Sequence, residues 1–224
     1  MFGEPFYHGT LRKAVIGFGS LFDNLYVTRK QDDNPIKIKV PIQYSTKEKF
    51  IQRYKDTLNR ENKNTIAVQT LLPKMGFQIS GIEYDPSRKK PSINKRIIEQ
   101  SGEDYKLNYT EVPYNVNFTL TAYVRYMDDG LQIAEQILPY FTPDFTIAIK
   151  QEVLGEAGEH MNIPIILNSV SQLVEYEGAL ELDPRIIMWE YNFTAKINIF
   201  GKLSDTGIIR HITINFNDYY DTET

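Results

Sequence analysis

Asp128 and Asp129, with Glu135 shortly after them, are the residues whose types first invite chemistry. Adjacent carboxylates can hold a divalent ion or divide general-acid and general-base work between them. A metal-dependent hydrolase built on Asp128 and Asp129 would need a further ligand, for which His8, His160 and His211 are the candidates. None of the three histidines stands at ligand spacing from the others, and no nucleophile motif surrounds any of them. Each reads as a solvated or core-satisfied side chain. Asp129 falls where a helix N-cap belongs and Gln132 at the reciprocal capping-box position, so the aspartates read as fixing a helix end whose positive dipole they suit. The chain has no cysteine, which removes disulfides, thiolate metal sites and cysteine nucleophiles. Gly17 and Gly19 imitate the start of a dinucleotide fingerprint, but they lie inside a helical pattern rather than after a strand, and no third glycine follows at the needed place. No catalytic, cofactor-binding or metal-ligating residue is assigned, and the chain reads as a non-enzyme.

What remains are contact residues. Arg88, Lys89, Lys90, Lys95 and Arg96 form a basic cluster suited to an acidic protein surface or to phosphate. No aromatic residues interleave it to stack bases, and a net charge of −4 with a pI near 5.5 argues against specific nucleic-acid binding. Arg125 and Tyr126 precede the short helix that Pro139 stops, and Tyr140 and Phe141 form an aromatic exit from it. These nine residues are the candidate protein-interface set. Fifteen Tyr and twelve Phe supply amphipathic bulk for cores and interfaces alike.

The elements that must position them follow from periodicity. Apolar residues from Leu11 to Leu25 recur at three-and-four spacing, predicting a helix over Thr10–Leu25 with Thr10 as cap. Gly17 and Gly19 would let another backbone or a sheet approach that helix closely. A hairpin is expected from Leu25–Arg29 and Ile36–Tyr44, with Pro41 marking an edge or bulge. Ser45 and Glu48 form a capping box opening a helix that carries Phe50, Ile51, Tyr54 and Leu58. Further strands are expected over Thr65–Leu72, Gly76–Tyr84 with a bulge near Gly81, Tyr114–Tyr126, Phe145–Lys150, Ile163–Glu175, Arg185–Phe200 and Ile208–Phe216. Residues 85–113 read as a long polar loop, and 217–224 as a fraying acidic tail.

A hydrophobic fraction of 42% is enough for a sizeable core, and no window reaches the apolar length of a membrane span. The N-terminus lacks the basic start and apolar run of a secretory signal. The expectation is one α+β domain over residues 1–224, a mostly antiparallel sheet with two or three packed helices.

Met1-Phe2-Gly3, Gly19 to Asn24, Val40 to Phe50, Leu71 to Lys74, Arg125 to Asp129, Gln132 to Pro143 and Arg185 to Phe193 carry a resemblance, with Glu135 to Phe141 its most specific part. In these blocks the chain resembles the tail sheath stabiliser and completion proteins of T-even-type contractile-tailed bacteriophages. The resemblance implies a structural virion protein, a hexamer at the head-proximal end of the tail, assembled in the host bacterial cytoplasm. Its implied partners are the tail sheath protein, the tail tube terminator and the neck proteins of the head, with no cofactor and no membrane. The T-even protein has a longer proline-rich tail, so contacts made by that extension are not expected here. Another ring-forming neck or tube-terminator protein is the alternative within the same machine.

Overall fold

In the computed structural model, which describes residues 5–31, 34–60, 72–91, 93–99, 105–151, 159–175, 186–202 and 204–205, the longest alternating runs of the sequence form the middle of a six-stranded sheet. Its order is β3 (Ile42–Tyr44), β4 (Lys74–Tyr84), β7 (Val112–Val124), β10 (Ile186–Ile199), β9 (Glu159–Glu175) and β8 (Asp144–Gln151). All neighbours are antiparallel except β3 and β4, which run parallel. β7 and β10 pair over their whole lengths, with Phe118 opposite Phe193 and Leu120 opposite Tyr191. Two sheet residues apart is one face, so Val116, Phe118, Leu120, Ala122 and Val124 point together into the core. The bulge expected near Gly81 is present, as a register shift between Ile79 and Gly81.

Helix α1 (Thr10–Leu21) lies on that apolar face. Phe18 is fully buried, stacked on Phe118 at 4.4 Å and edge-on to Phe193 at 5.3 Å. The close approach expected at the glycines is real: a Cβ on Gly17 would sit 2.9 Å from Ile147, and one on Gly19 2.8 Å from Phe77. Thr10 does not cap the helix. Gly9, at φ 66°, takes that position, and Thr10 is drawn inward, where its Oγ1 accepts a 2.7 Å hydrogen bond from buried Gln151. The helix also ends four residues earlier than expected, at Leu21.

The hairpin forms as β1 (Tyr26–Gln31) with β2 (Asn34–Lys39), a separate two-stranded sheet. The run expected as one strand to Tyr44 breaks at Val40-Pro41. Val40 is buried, and the Pro41 carbonyl accepts from Met75 N–H at 2.8 Å, which turns the chain into β3 on the larger sheet. Helix α2 (Lys47–Arg60) is capped one residue later than expected: Thr46 Oγ1 accepts from Lys49 N–H at 3.3 Å, while Ser45 is buried. Its Phe50 stacks on Tyr123 at 3.6 Å, on the sheet face opposite α1.

Residues 85–113 are not one structureless loop. They hold a 3-10 turn (Pro86–Arg88) and the antiparallel pair β5 (Lys95–Glu99) and β6 (Tyr105–Tyr109), extended by β11 (Ser204–Asp205) into a three-stranded sheet. β5 (Lys-Arg-Ile-Ile-Glu) has no alternation, and the five alternating residues of β6 are too short a run to stand out in a polar stretch. Helix α3 (Met127–Ile137) follows β7, with the 3-10 turn Leu138–Tyr140 after it. Among the described residues, no helix is long and apolar enough to cross a membrane. The strands expected over Thr65–Leu72 and Ile208–Phe216, apart from Leu72, and the acidic run 217–224 lie outside the described residues.

Candidate protein–protein interface

Helix α3 starts two residues before the expected cap, with Tyr126 in the N-cap position and no side-chain cap. Asp129 therefore sits inside the first turn, where a carboxylate still meets the positive end of the helix. Its carboxylate is 2% exposed and takes two hydrogen bonds from Arg29 of β1, Nε to Oδ1 at 3.2 Å and Nη2 to Oδ2 at 2.5 Å. The same guanidinium donates to the Leu72 carbonyl and lies over the Tyr126 ring at 5.2 Å. Gln132 has a different task from the expected capping box. Its Oε1 accepts from Thr28 N–H at 2.8 Å and its Nε2 donates to Thr28 C=O at 3.0 Å.

Gln136, one turn on, repeats this with Tyr26, at 3.3 and 2.7 Å. Two side-chain amides, each offering one donor and one acceptor, thus pair with β1 as an adjacent strand would. They satisfy the outward backbone of alternate residues and close an edge that would otherwise attract another chain. Asp128 accepts from the Gln132 amide at 2.7 Å. These contacts give Asp128, Asp129, Gln132 and Gln136 a structural task each.

The opposite side of α3 is apolar and open. Met127, Leu131 and Leu138 fall on one helical face at spacings of four and seven and are each about two-fifths exposed, while Ile133 and Ile137 point into the core. Tyr126 and Tyr140 are also exposed but lie off this stripe, Tyr126 under the Arg29 guanidinium and Tyr140 beside Gln136 and Ile137. Tyr140 is 67% exposed, whereas Phe141 packs in the chain against Phe193 at 5.1 Å and Phe22 at 6.3 Å. The aromatic exit thus splits: Phe141 serves the core and Tyr140 the surface. Between them lies a cleft of about 240 Å³ lined by Leu21, Phe22, Leu25, Ile137 and Phe145.

The basic cluster lies elsewhere. Arg88 binds Asp85 through Nε at 2.7 Å and also reaches the Tyr114 carbonyl, Asn115 and, at 3.4 Å, Asn198. It ties the 85–113 segment to the starts of β7 and the end of β10. Asp85 is buried. Hydrogen bonds from the Ser87 side chain and from Arg88 hold its carboxyl well below the usual range, against the effect of desolvation. Lys90 pairs with Glu111, and Lys95 lies over the Tyr109 ring at 5.4 Å. Lys89 and Lys95 are exposed, and the Arg96 side chain is outside the described residues.

These groups do not converge. The basic cluster is near the start of β7 and Arg125-Tyr126 follow its end, on the order of 40 Å apart by strand rise. Arg125 is half-buried, with Nη1 shielded and without a hydrogen-bond partner.

The groups that a metal site would use are not brought together among the described residues. Asp129 is held by Arg29, His8 is 2.8 Å from the Gly201 carbonyl, and His160 stands exposed on β9 opposite Lys150. His211 lies outside the described residues. Among the described residues no group of three His, Cys, Asp or Glu is placed to hold a metal ion. Sequence reasoning missed Arg29, Gln136 and Asp85, because each acts through a partner chosen by the fold. Only the four-residue spacing of Gln132 and Gln136 on one helix face signalled a shared task.

A family model described as the T4-like virus Myoviridae tail sheath stabiliser matches residues 5–224 of the chain. The tail completion protein gp15 of Enterobacteria phage T4 is 27% identical over 219 residues, covering 97% of this chain and 80% of that protein.

Proposed function

The chain belongs to the tail sheath stabiliser family of T4-like viruses, and from that membership we propose that it caps the head-proximal end of a contractile phage tail. There it holds the last ring of the sheath and forms the platform on which the filled head is joined. The observation that carries this reading is a family match running through nearly the whole chain rather than one motif. The printed name of the T4 relative, a tail completion protein, supports it.

On this reading residues 1–224 form a single domain, and six copies close a ring through heterologous surfaces. The partners are the tail sheath protein, the tail tube terminator and the neck proteins, and the work is done by surface complementarity, without catalysis or cofactor. Weak contacts repeated around a ring add up through effective concentration, so no single contact need be strong. The exposed stripe of Met127, Leu131 and Leu138 suits a subunit interface, being apolar and flanked by the polar Glu135 and Gln172. Lys89, Lys90 and Lys95 suit an acidic partner surface. Immunogold labelling of intact virions tests the placement. Label at the junction of sheath and neck supports it, and label inside the neck would favour the alternative of a neck protein.

A further inference from the structure

We propose that the outer edge of β8 accepts an extended, acidic segment of another tail protein as an added strand. β8 is the last strand of the six-stranded sheet and pairs only with β9 among the described residues. Its outward backbone groups can be assigned. Thr146 stands opposite Pro164, which has no N–H, and the Lys150 carbonyl accepts from Lys13 Nζ at 3.2 Å, on the side away from β9. Thr146, Ala148 and Lys150 therefore turn their N–H and C=O groups outward.

Several of the other edges are blocked, each by a different means. Gln132 and Gln136 occupy β1, β2 carries Pro35 and the exposed Lys37 and Lys39, and β3 and β11 have three and two residues. β5 carries Lys95, Arg96 and Glu99 within five residues. β8 has eight residues with charges at Asp144 and Lys150 only, so nothing between them discourages pairing.

The surroundings specify the occupant. Ile16 of α1, one helical turn from Lys13, is 62% exposed on the flank from which Lys13 reaches the edge. An added strand would cover it with an apolar residue. Lys13, Lys150 and His160 gather at one end, with Lys150 and His160 exposed and the exposed Arg12 next to Lys13 in α1, which favours an acidic residue in the strand that passes them. Backbone pairing would supply affinity and these neighbours the choice of segment.

The proposal rests on the family-level reading only in taking the donor to be a tail protein. A photoreactive benzoylphenylalanine at Thr146, whose side chain would lie about 5 Å from a residue on an added strand, tests it in purified tails. The expected cross-link, mapped by mass spectrometry, is to one acidic segment of a different tail protein. A cross-link to a second copy of this chain, or tails that contain the protein but give no cross-link, would overturn it. Absence of the protein from tails would instead overturn the functional reading. Ala148→Pro removes an outward donor without touching a β8–β9 bond, and Lys13→Glu with Lys150→Glu reverses the charge. Each should lower retention of the cross-linked partner by about tenfold or more while thermal unfolding of the purified protein stays in place. If Ala148→Pro unfolds, the charge variant decides, and unchanged retention in it contradicts the proposal.

Discussion

Arg29 and Asp129, a hundred residues apart in the chain, meet through a two-point ion pair in which the carboxylate is almost wholly buried. The pair locks the hairpin β1–β2 to the first turn of α3, and so sets how the helix presents its open apolar face. Because Asp129 is 2% exposed, removing its partner leaves a buried charge uncompensated. Arg29→Ala should destabilise the protein by about 3 kcal/mol in urea unfolding, and Arg29→Ala with Asp129→Ala should cost less than the sum of the single changes.

Gln132→Ala and Gln136→Ala should each cost about 1 kcal/mol, since each removes two hydrogen bonds to β1. Their greater effect concerns solubility. With both replaced, β1 offers an open edge, and light scattering should show open-ended, concentration-dependent association beyond that of the parent protein.

Gly130 marks a third constraint. A Cβ there would lie 2.3 Å from Nε1 of Trp189, the only tryptophan of the chain. Gly130→Ala should cost about 1–3 kcal/mol and shift the intrinsic fluorescence, because the indole must move. Gly201→Ala, with nothing among the described residues within 4 Å of the added carbon, serves as the control and should stay within about 0.5 kcal/mol.

Asp85 makes a prediction in pH. Its carboxyl titrates lower in the folded chain than in the unfolded one, so between those two values the unfolded state binds the extra proton. The stabilisation is fully present above the ordinary carboxylate range, near pH 4, and declines as pH falls below it. Asp85→Asn should flatten the acid limb of the stability curve measured by denaturant midpoint from pH 7 downward, while leaving its shape above about pH 5 unchanged.

The strands β7 and β10 were legible because alternation over a dozen residues has one reading when one face is buried. The break at Val40-Pro41 was not, since Ile36 to Ile42 keeps its alternation while passing from one sheet to another. Asp129 was legible as a helix-start residue but not as an ion-pair partner. A carboxylate in a first turn has the same local pattern whether it caps or receives an arginine from a distant strand. The basic run at 88–90 showed its charge in the sequence, yet Arg88 is committed to Asp85 and Asn115 by a fold that brings the start of β7 alongside. The open stripe on α3 was obscured because its residues look like core. Met127, Leu131 and Leu138 differ from Ile133 and Ile137 only in the direction they face.

The role at the tail end is tested most directly by electron microscopy of tails assembled without this protein, before and after the purified chain is added back. The account predicts sheaths that lose their head-proximal ring or contract early, with heads unattached, and recovery of extended, head-bearing tails on addition. Tails that keep a full sheath and join heads normally in its absence would contradict it.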